Sequence, residues 1–255
     1  MYQAIAHFSY QHFEQDPVTL ISQILNQWRL NGQVIGREMG ITHHQWDTHS
    51  EFQVQVALPE QDSLLPKWNN DWVNEALLQA QESQVMFEYF ELLGRDYQAE
   101  ETSQQAVEFQ ILYTTHLDSC SPIYNGTDFG PLPLYRFAFA PEFNEQLIKW
   151  QENWQACDQL QMNGHVLEQY ALSEISELAS QLSQQGRALA QAVEAKTKIA
   201  TYYYLYRLGH DPEIEHHRHC PSCQQVWRLA KPLHQLFHFK CDTCRLVSNL
   251  SWTLW

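Results

Sequence analysis

Four of the six cysteines stand in two pairs, Cys220-Pro221-Ser222-Cys223 and Cys241-Asp242-Thr243-Cys244, separated by seventeen residues. A Cys-x2-Cys pair puts two thiolates on one tight turn, so both sulfurs reach the same ion. Two such pairs supply the four sulfurs of a tetrahedral zinc site, and this gap lies in the range such sites use. The same thiols would also serve two disulfides, an iron–sulfur cluster or a set of buried free thiols. Disulfides need an oxidising compartment, of which the sequence carries no sign, and paired knuckles around a hairpin are the zinc arrangement. The expected site is closed and structural, with one Zn2+ and no ligand position left for a substrate. In zinc-finger peptides such an ion contributes about 10–16 kcal/mol of apparent binding energy, which is also folding energy.

A hairpin has to carry the two knuckles. Residues 226–229 and 237–240 alternate apolar and polar side chains as short strands do, and residues 231–236 read as the turn between them. The expected object is a zinc ribbon. Thr201-Tyr202-Tyr203-Tyr204-Leu205-Tyr206-Arg207 leads into it, and residues 239–252 (FKCDTCRLVSNLSW) close it. These two stretches resemble a family of uncharacterised bacterial proteins described as zinc-ribbon-containing and nucleic-acid-binding. The resemblance is sharp over residues 201–252; upstream only length and layout agree. It implies a zinc site at the four cysteines and a nucleic-acid partner, and it brings no catalytic residue.

Charge is unevenly placed. The chain carries a net −15, yet from residue 216 onward Arg218, Arg228, Lys231, Lys240 and Arg245 face one acid, Asp242. That tail is +4, which leaves −19 for the first 215 residues. An acidic body with a basic, metal-clasped tail would meet a polyanion through the tail. Arg228, Lys231, Lys240 and Arg245 are the candidate phosphate contacts, with Tyr203 and Tyr206 as candidate stacking rings. On a helix the tyrosines would point several ways, and the competing reading has them and Trp252 seating the ribbon on the body. The alternative partner is a polypeptide docked by the ribbon.

The remaining composition describes a globular protein of 255 residues with 44% hydrophobic and 18% charged side chains. No apolar run spans a membrane, and residues 1–7 lack a signal peptide's basic start and apolar centre. Cys120 and Cys157 are single and read as buried thiols. A reducing cytoplasm is the expected compartment.

The chain divides by pattern into an α+β domain over residues 1–140, a helical segment over 141–209 and the ribbon over 210–255. In the first domain, strands are expected at 2–10, 34–38, 52–58 and 85–93. A helix capped by Asp16, with a stripe of Val18, Ile21, Leu25 and Trp28, ends at Asn31-Gly32, and a second is expected over 66–83. Strand, helix, strand, strand, helix, strand is the order of a ferredoxin-like antiparallel sheet. Phe8, Tyr10, Phe87 and Tyr89 would form a base-stacking platform if they lay on its open face, and core if not. Added strands are expected at 107–115 and 134–140. The helical segment has one stripe through Phe143, Leu147, Trp150, Trp154 and Leu160. A second runs from Leu167 towards Tyr206; a bend, a hairpin at 184–186 around Gly186 or a dimerising coiled coil would shorten it, and two antiparallel helices are the expected form.

Two features invite an enzyme reading. Residues 117–133 form a loop stiffened by three prolines and two glycines that carries Asp118, Tyr124, Asn125 and Asp128. It would frame a ligand or cover a sheet. His43, His44 and His49, like His216, His217 and His219, lack a His-x3-His spacing with a nearby base and read as polar loop residues. His219 adjoins Cys220 and is an alternative ligand. No phosphate-binding glycine loop and no Gly-x-Ser-x-Gly elbow occurs.

Overall fold

The computed structural model describes residues 1–11, 16–46, 50–117 and 119–251. His49, Asp118 and Trp252 lie outside these. The fold is mixed α+β and groups into two compact units. One comprises Met1–Thr102, Asp118–Ser121 and Pro131–Ile148, the other Ser103–Leu117, Pro122–Gly130 and Lys149–Trp255.

In the first unit, strand β1 (Tyr2–Tyr10) buries Ala4, Ala6 and Phe8 on one face. Helix α1 (Pro17–Leu30) starts where Asp16 accepts the Val18 amide at 3.1 Å and the Thr19 hydroxyl at 2.7 Å. Its buried stripe is Ile21, Ile24, Leu25 and Trp28, whereas Val18 is exposed. Gly32, at φ +78°, turns the chain out of the helix. The strand expected at 34–38 reduces to a single bridge between Ile35 and Ala57, because Gly36 at φ +92° breaks the extended run. Strand β2 (Ile41–Gln45) instead forms in what reads as a polar loop, paired to β3 (Ser50–Leu58). The expected helix 66–83 is a 3-10 turn at Pro66–Trp68 followed by α2 (Asp71–Glu82). Asn70 separates the two by capping the Val73 amide at 2.9 Å. Strand β4 (Val85–Arg95) completes an antiparallel sheet of order β2-β3-β1-β4.

One core joins the two helices to one face of that sheet, with Val73 and Ala80 meeting Phe8, Val54 and Trp28. Phe8 and Phe87 pack against Trp28 on this face, and Tyr10 packs on Phe52. Tyr89 alone of the four aromatics stands on the open face, stacked on His7. The platform is therefore mostly core. Residues 134–140 are not a strand: Leu134–Arg136 is a 3-10 turn after Pro133, held where Arg136 and Tyr135 both donate to Glu60.

The second unit holds a mixed six-stranded sheet. Short strands β5 (Gln110–Leu112) and β6 (Ile123–Asn125) pair antiparallel. Helix α3 (Pro141–Asn163) runs from the first unit into the second and is followed by α4 (Glu168–Ser176) and α5 (Gln181–Thr197). The break falls before Ser180, which caps the Ser183 amide at 3.1 Å. Gly186 does not make a hairpin. It lies inside α5, where a β-carbon would stand 2.3 Å from the Tyr203 ring and 2.6 Å from Trp150. Lys198, at φ 63°, ends α5, and the tyrosine run is strand β7 (Thr201–Tyr204) rather than helix. Helix α6 (Pro212–His217) precedes β8 (Arg228–Leu233), β9 (Phe237–Cys241) and β10 (Leu246–Asn249). The order is β6-β5-β7-β10-β9-β8, so the cysteine-bearing hairpin continues a sheet built on β7. No helix among the described residues is long and apolar enough to cross a membrane.

Candidate metal centre

Each knuckle is a short turn closed by its own backbone. In the first, Gln224 donates its amide to the Cys220 carbonyl at 2.8 Å, and Cys220 donates to Gln225 at 2.9 Å. The second connects β9 to β10, with Leu246 opposite Cys241. The residue after each second cysteine, Gln224 and Arg245, lies in the left-handed region at φ 61° and 53°. For a residue with a β-carbon that conformation costs roughly 1–2 kcal/mol, so both turns carry the same local strain.

The four sulfurs lie within 4.8 Å of one another, and no other such group occurs among the described residues. Cys223 and Cys241 are 3.6 Å apart. Burial pushes the Cys220 thiol up and the Cys241 thiol up to about 12, against amides of the knuckles that donate to both sulfurs. The Gln225 amide instead holds Cys223 down to about 7. None of the six described cysteines forms a disulfide. The arrangement is a four-sulfur pocket able to hold one cation, and His219 is exposed and outside it.

The basic residues of the tail are largely engaged. Lys240 pairs with Asp242 and lies 4.4 Å over the Tyr202 ring, whose hydroxyl donates to Asp242 at 2.6 Å. Arg245 pairs with Glu194 at 3.0 Å. Arg218 is half-buried: Nη2 donates to Ser248 Oγ at 2.9 Å and the Asn249 carbonyl at 2.7 Å. Its guanidinium lies 3.9 Å over Phe239, beside the buried carboxylate of Glu215, which Arg207 also holds. Arg228 donates to the His216 carbonyl at 2.9 Å but stays exposed, as does Lys231.

Sequence reading counts Arg218 as surface charge, and nothing in its exposed-looking neighbours, His217 and His219, signals otherwise. Tyr203 and Tyr206 are 1% and 7% exposed, which leaves no ring face for a base and corrects their candidacy as stacking residues. Tyr203 donates to Ser183 and packs on Trp150; Tyr206 packs on Trp154.

The other candidates dissolve into structure. Asn125 is fully buried and donates to Ser103 at 2.8 Å, while Asp128 accepts from Ser103 and from the Gly130 amide. Tyr124 is buried among Tyr113 and Phe129. These loop groups hold the loop itself. His43 and His44 lie on β2, bonded to Tyr10 and Thr42, and His217 contacts the Glu213 carbonyl.

Three family models match the chain: "Domain of unknown function (DUF8589)" over residues 1–94, "Domain of unknown function (DUF2310)" over 104–206 and "Domain of unknown function (DUF8594)" over 209–254. A Haemophilus influenzae protein named "Uncharacterized protein" is 52% identical over 236 residues, covering 91% of this chain and 90% of its own. A second of the same name and organism is 52% identical over 198 residues, covering 76% of this chain and 93% of its own. No solved structure matches.

Proposed function

The chain belongs to one family with these two Haemophilus influenzae proteins, and we propose that it is a zinc-ribbon binding module whose partner is a polypeptide. One structural Zn2+ is held by Cys220, Cys223, Cys241 and Cys244. The observation that carries this is the sulfur geometry. A tetrahedron with Zn–S bonds of about 2.3 Å has edges of about 3.8 Å, and the sulfurs stand at 3.6 Å for one pair and within 4.8 Å for all. Four protein ligands fill the coordination sphere, so the ion supplies folding energy and no open position for chemistry. Six cysteines with no disulfide among them fit a reducing cytoplasm. The order β2-β3-β1-β4 with α1 and α2 on one face supports a ferredoxin-like reading of the first unit. The module proper is residues 210–255.

The polypeptide reading rests on where the positive charge has gone. Arg218, Lys240 and Arg245 are paired with Glu215, Asp242 and Glu194, so phosphates would have to displace carboxylates already in place. A nucleic-acid partner remains the second reading because Arg228 and Lys231 are exposed on the edge strand β8. The test is metal analysis of the native protein together with mass spectrometry of what copurifies before and after nuclease. One zinc per chain and a nuclease-resistant protein partner are expected. Iron, or no metal, overturns the zinc assignment, and loss of the partner with nuclease overturns the polypeptide reading.

A further inference from the structure

The stiff loop that stands out in the sequence meets the ribbon at the end remote from the cysteines. His234 Nε2 donates to the Gly126 carbonyl at 2.7 Å, and its ring stacks on Phe129 at 5.0 Å and 14°. Phe129, itself at φ 60°, also packs on Tyr113, Tyr124 and Phe237. We infer that the β8–β9 hairpin is a zinc-dependent latch on residues 122–130, with His234 as its catch. The inference deepens the zinc reading above and rests on it.

The hairpin is poorly built to stand alone. Its tip is a two-residue turn with His234 and Gln235 both at positive φ, 52° and 59°, closed by Leu236 N to Leu233 O at 3.1 Å. Asn-Gly is the sequence that takes such a turn without strain. Strands β8 and β9 pair in register at Arg228 with Phe239 and Leu233 with Phe237, around an irregularity, and one further backbone bond, Lys240 N to Trp227 O at 2.8 Å, joins the arms at the base. Strand β9 is further held by its pairing with β10, whereas β8 is the sheet's edge and is held mainly at the base, where Cys223 precedes β8 and Cys241 ends β9. An ion shared by those sulfurs ties both strands, and the tied hairpin presents His234 to the loop. The loop has its own internal bonds at Asn125 and Asp128, but Phe129 and the Gly126 carbonyl are capped from the ribbon side.

Hydrogen exchange of the full chain tests this, comparing wild type, chelator-stripped wild type and His234→Ala, with zinc measured on each sample. Stripping is expected to speed exchange in peptides covering 123–130 by about tenfold or more, with residues 1–58 unchanged. His234→Ala is expected to keep one zinc per chain and yet expose the same peptides. A zinc-loaded wild type whose loop is unaffected by stripping, or a His234→Ala protein with a fully protected loop, overturns the latch and leaves the zinc reading standing. A native protein without zinc overturns both.

Discussion

Arg245 reaches from the turn after the last cysteine to Glu194 on α5 through two bonds, Nε to Oε2 at 3.0 Å and Nη2 to Oε1 at 3.2 Å. It thereby ties the second knuckle to the helix that backs β7. Arg245 is the chief reason that the Glu194 carboxyl is held below the usual range. Both side chains are about one-third exposed, so solvent screens the pair, and a double-mutant cycle with Glu194→Gln and Arg245→Gln should give a coupling of about 0.5–1 kcal/mol. The lowered carboxyl means that this stability is present above the unfolded carboxylate's value and is lost as pH falls through the folded one. Strictly additive single mutants would show that the pair contributes nothing.

Replacing Cys241 with serine should release the metal, since three sulfurs cannot close the site. The damage should not stay in the ribbon. Strand β10 pairs in parallel with β7 through Leu246–Tyr203 and Val247–Tyr204, so loss of the knuckle loosens the six-stranded sheet. The first unit has its own core around Phe8, Trp28 and Val54, and its amides should keep their protection in hydrogen exchange. Equal loss across both units would make the protein one cooperative whole.

Gly186→Ala sets two effects against each other. Alanine gains about 1 kcal/mol of helix propensity over glycine. Its β-carbon would press on the fully buried rings of Tyr203 and Trp150 at 2.3 and 2.6 Å, and overpacking of a tight core costs roughly 1–3 kcal/mol, occasionally more. Sterics should win, with a net loss of about 1–2 kcal/mol in urea unfolding. Gly40→Ala, with nothing within 4 Å, is the control and should stay within about 0.5 kcal/mol. Equal stability of Gly186→Ala and wild type would mean that the helix and sheet have room to part.

Glu60 is the matching test in the first unit. Burial alone would raise its carboxyl, but bonds from Arg136, Tyr135 and Thr102 outweigh burial and hold it below the usual range. Glu60→Gln should cost about 1.5–3 kcal/mol, the range for hydrogen bonds to a charged group. The wild-type advantage should fade as pH falls below the unfolded carboxylate's value, because the proton taken up removes the same acceptor. A stability gap between the two proteins that is flat from pH 7 to pH 3 would refute this.

The four-cysteine cluster was legible because its information is local: two cysteines and a turn specify each knuckle without reference to the rest of the chain. Helix α1 was legible for the same reason, through Asp16 and Pro17. Strand β7 was not. Its tyrosines fit either period, and what makes them a strand is pairing with residues 110–112 on one side and 246–247 on the other, far away in sequence. Gly186 reads as a break because a short sequence window contains no trace of Trp150 and Tyr203 closing on it. Nor does composition distinguish a basic residue in water from Arg218, whose charge is spent inside the unit on Glu215 and β10.

The partner is decided by salt. If phosphates bind the tail, Arg228 and Lys231 must carry the contact, since Lys240 and Arg245 are already paired with Asp242 and Glu194. Each phosphate contact contributes about one unit to the slope of log affinity against log salt. Two exposed cations therefore allow a slope of only about −2, shallow beside proteins that make many contacts. Under the polypeptide reading, fluorescence anisotropy with single-stranded and duplex RNA and DNA should show no binding tighter than millimolar at 50 mM salt. Arg228→Gln with Lys231→Gln should then change nothing with nucleic acid. Micromolar binding with a slope of about −2, abolished by that double substitution while zinc content stays at one per chain, would instead establish the nucleic-acid reading. Zinc must be followed in every sample, because Arg228 also contacts His216 and its loss could disturb the approach to the first knuckle.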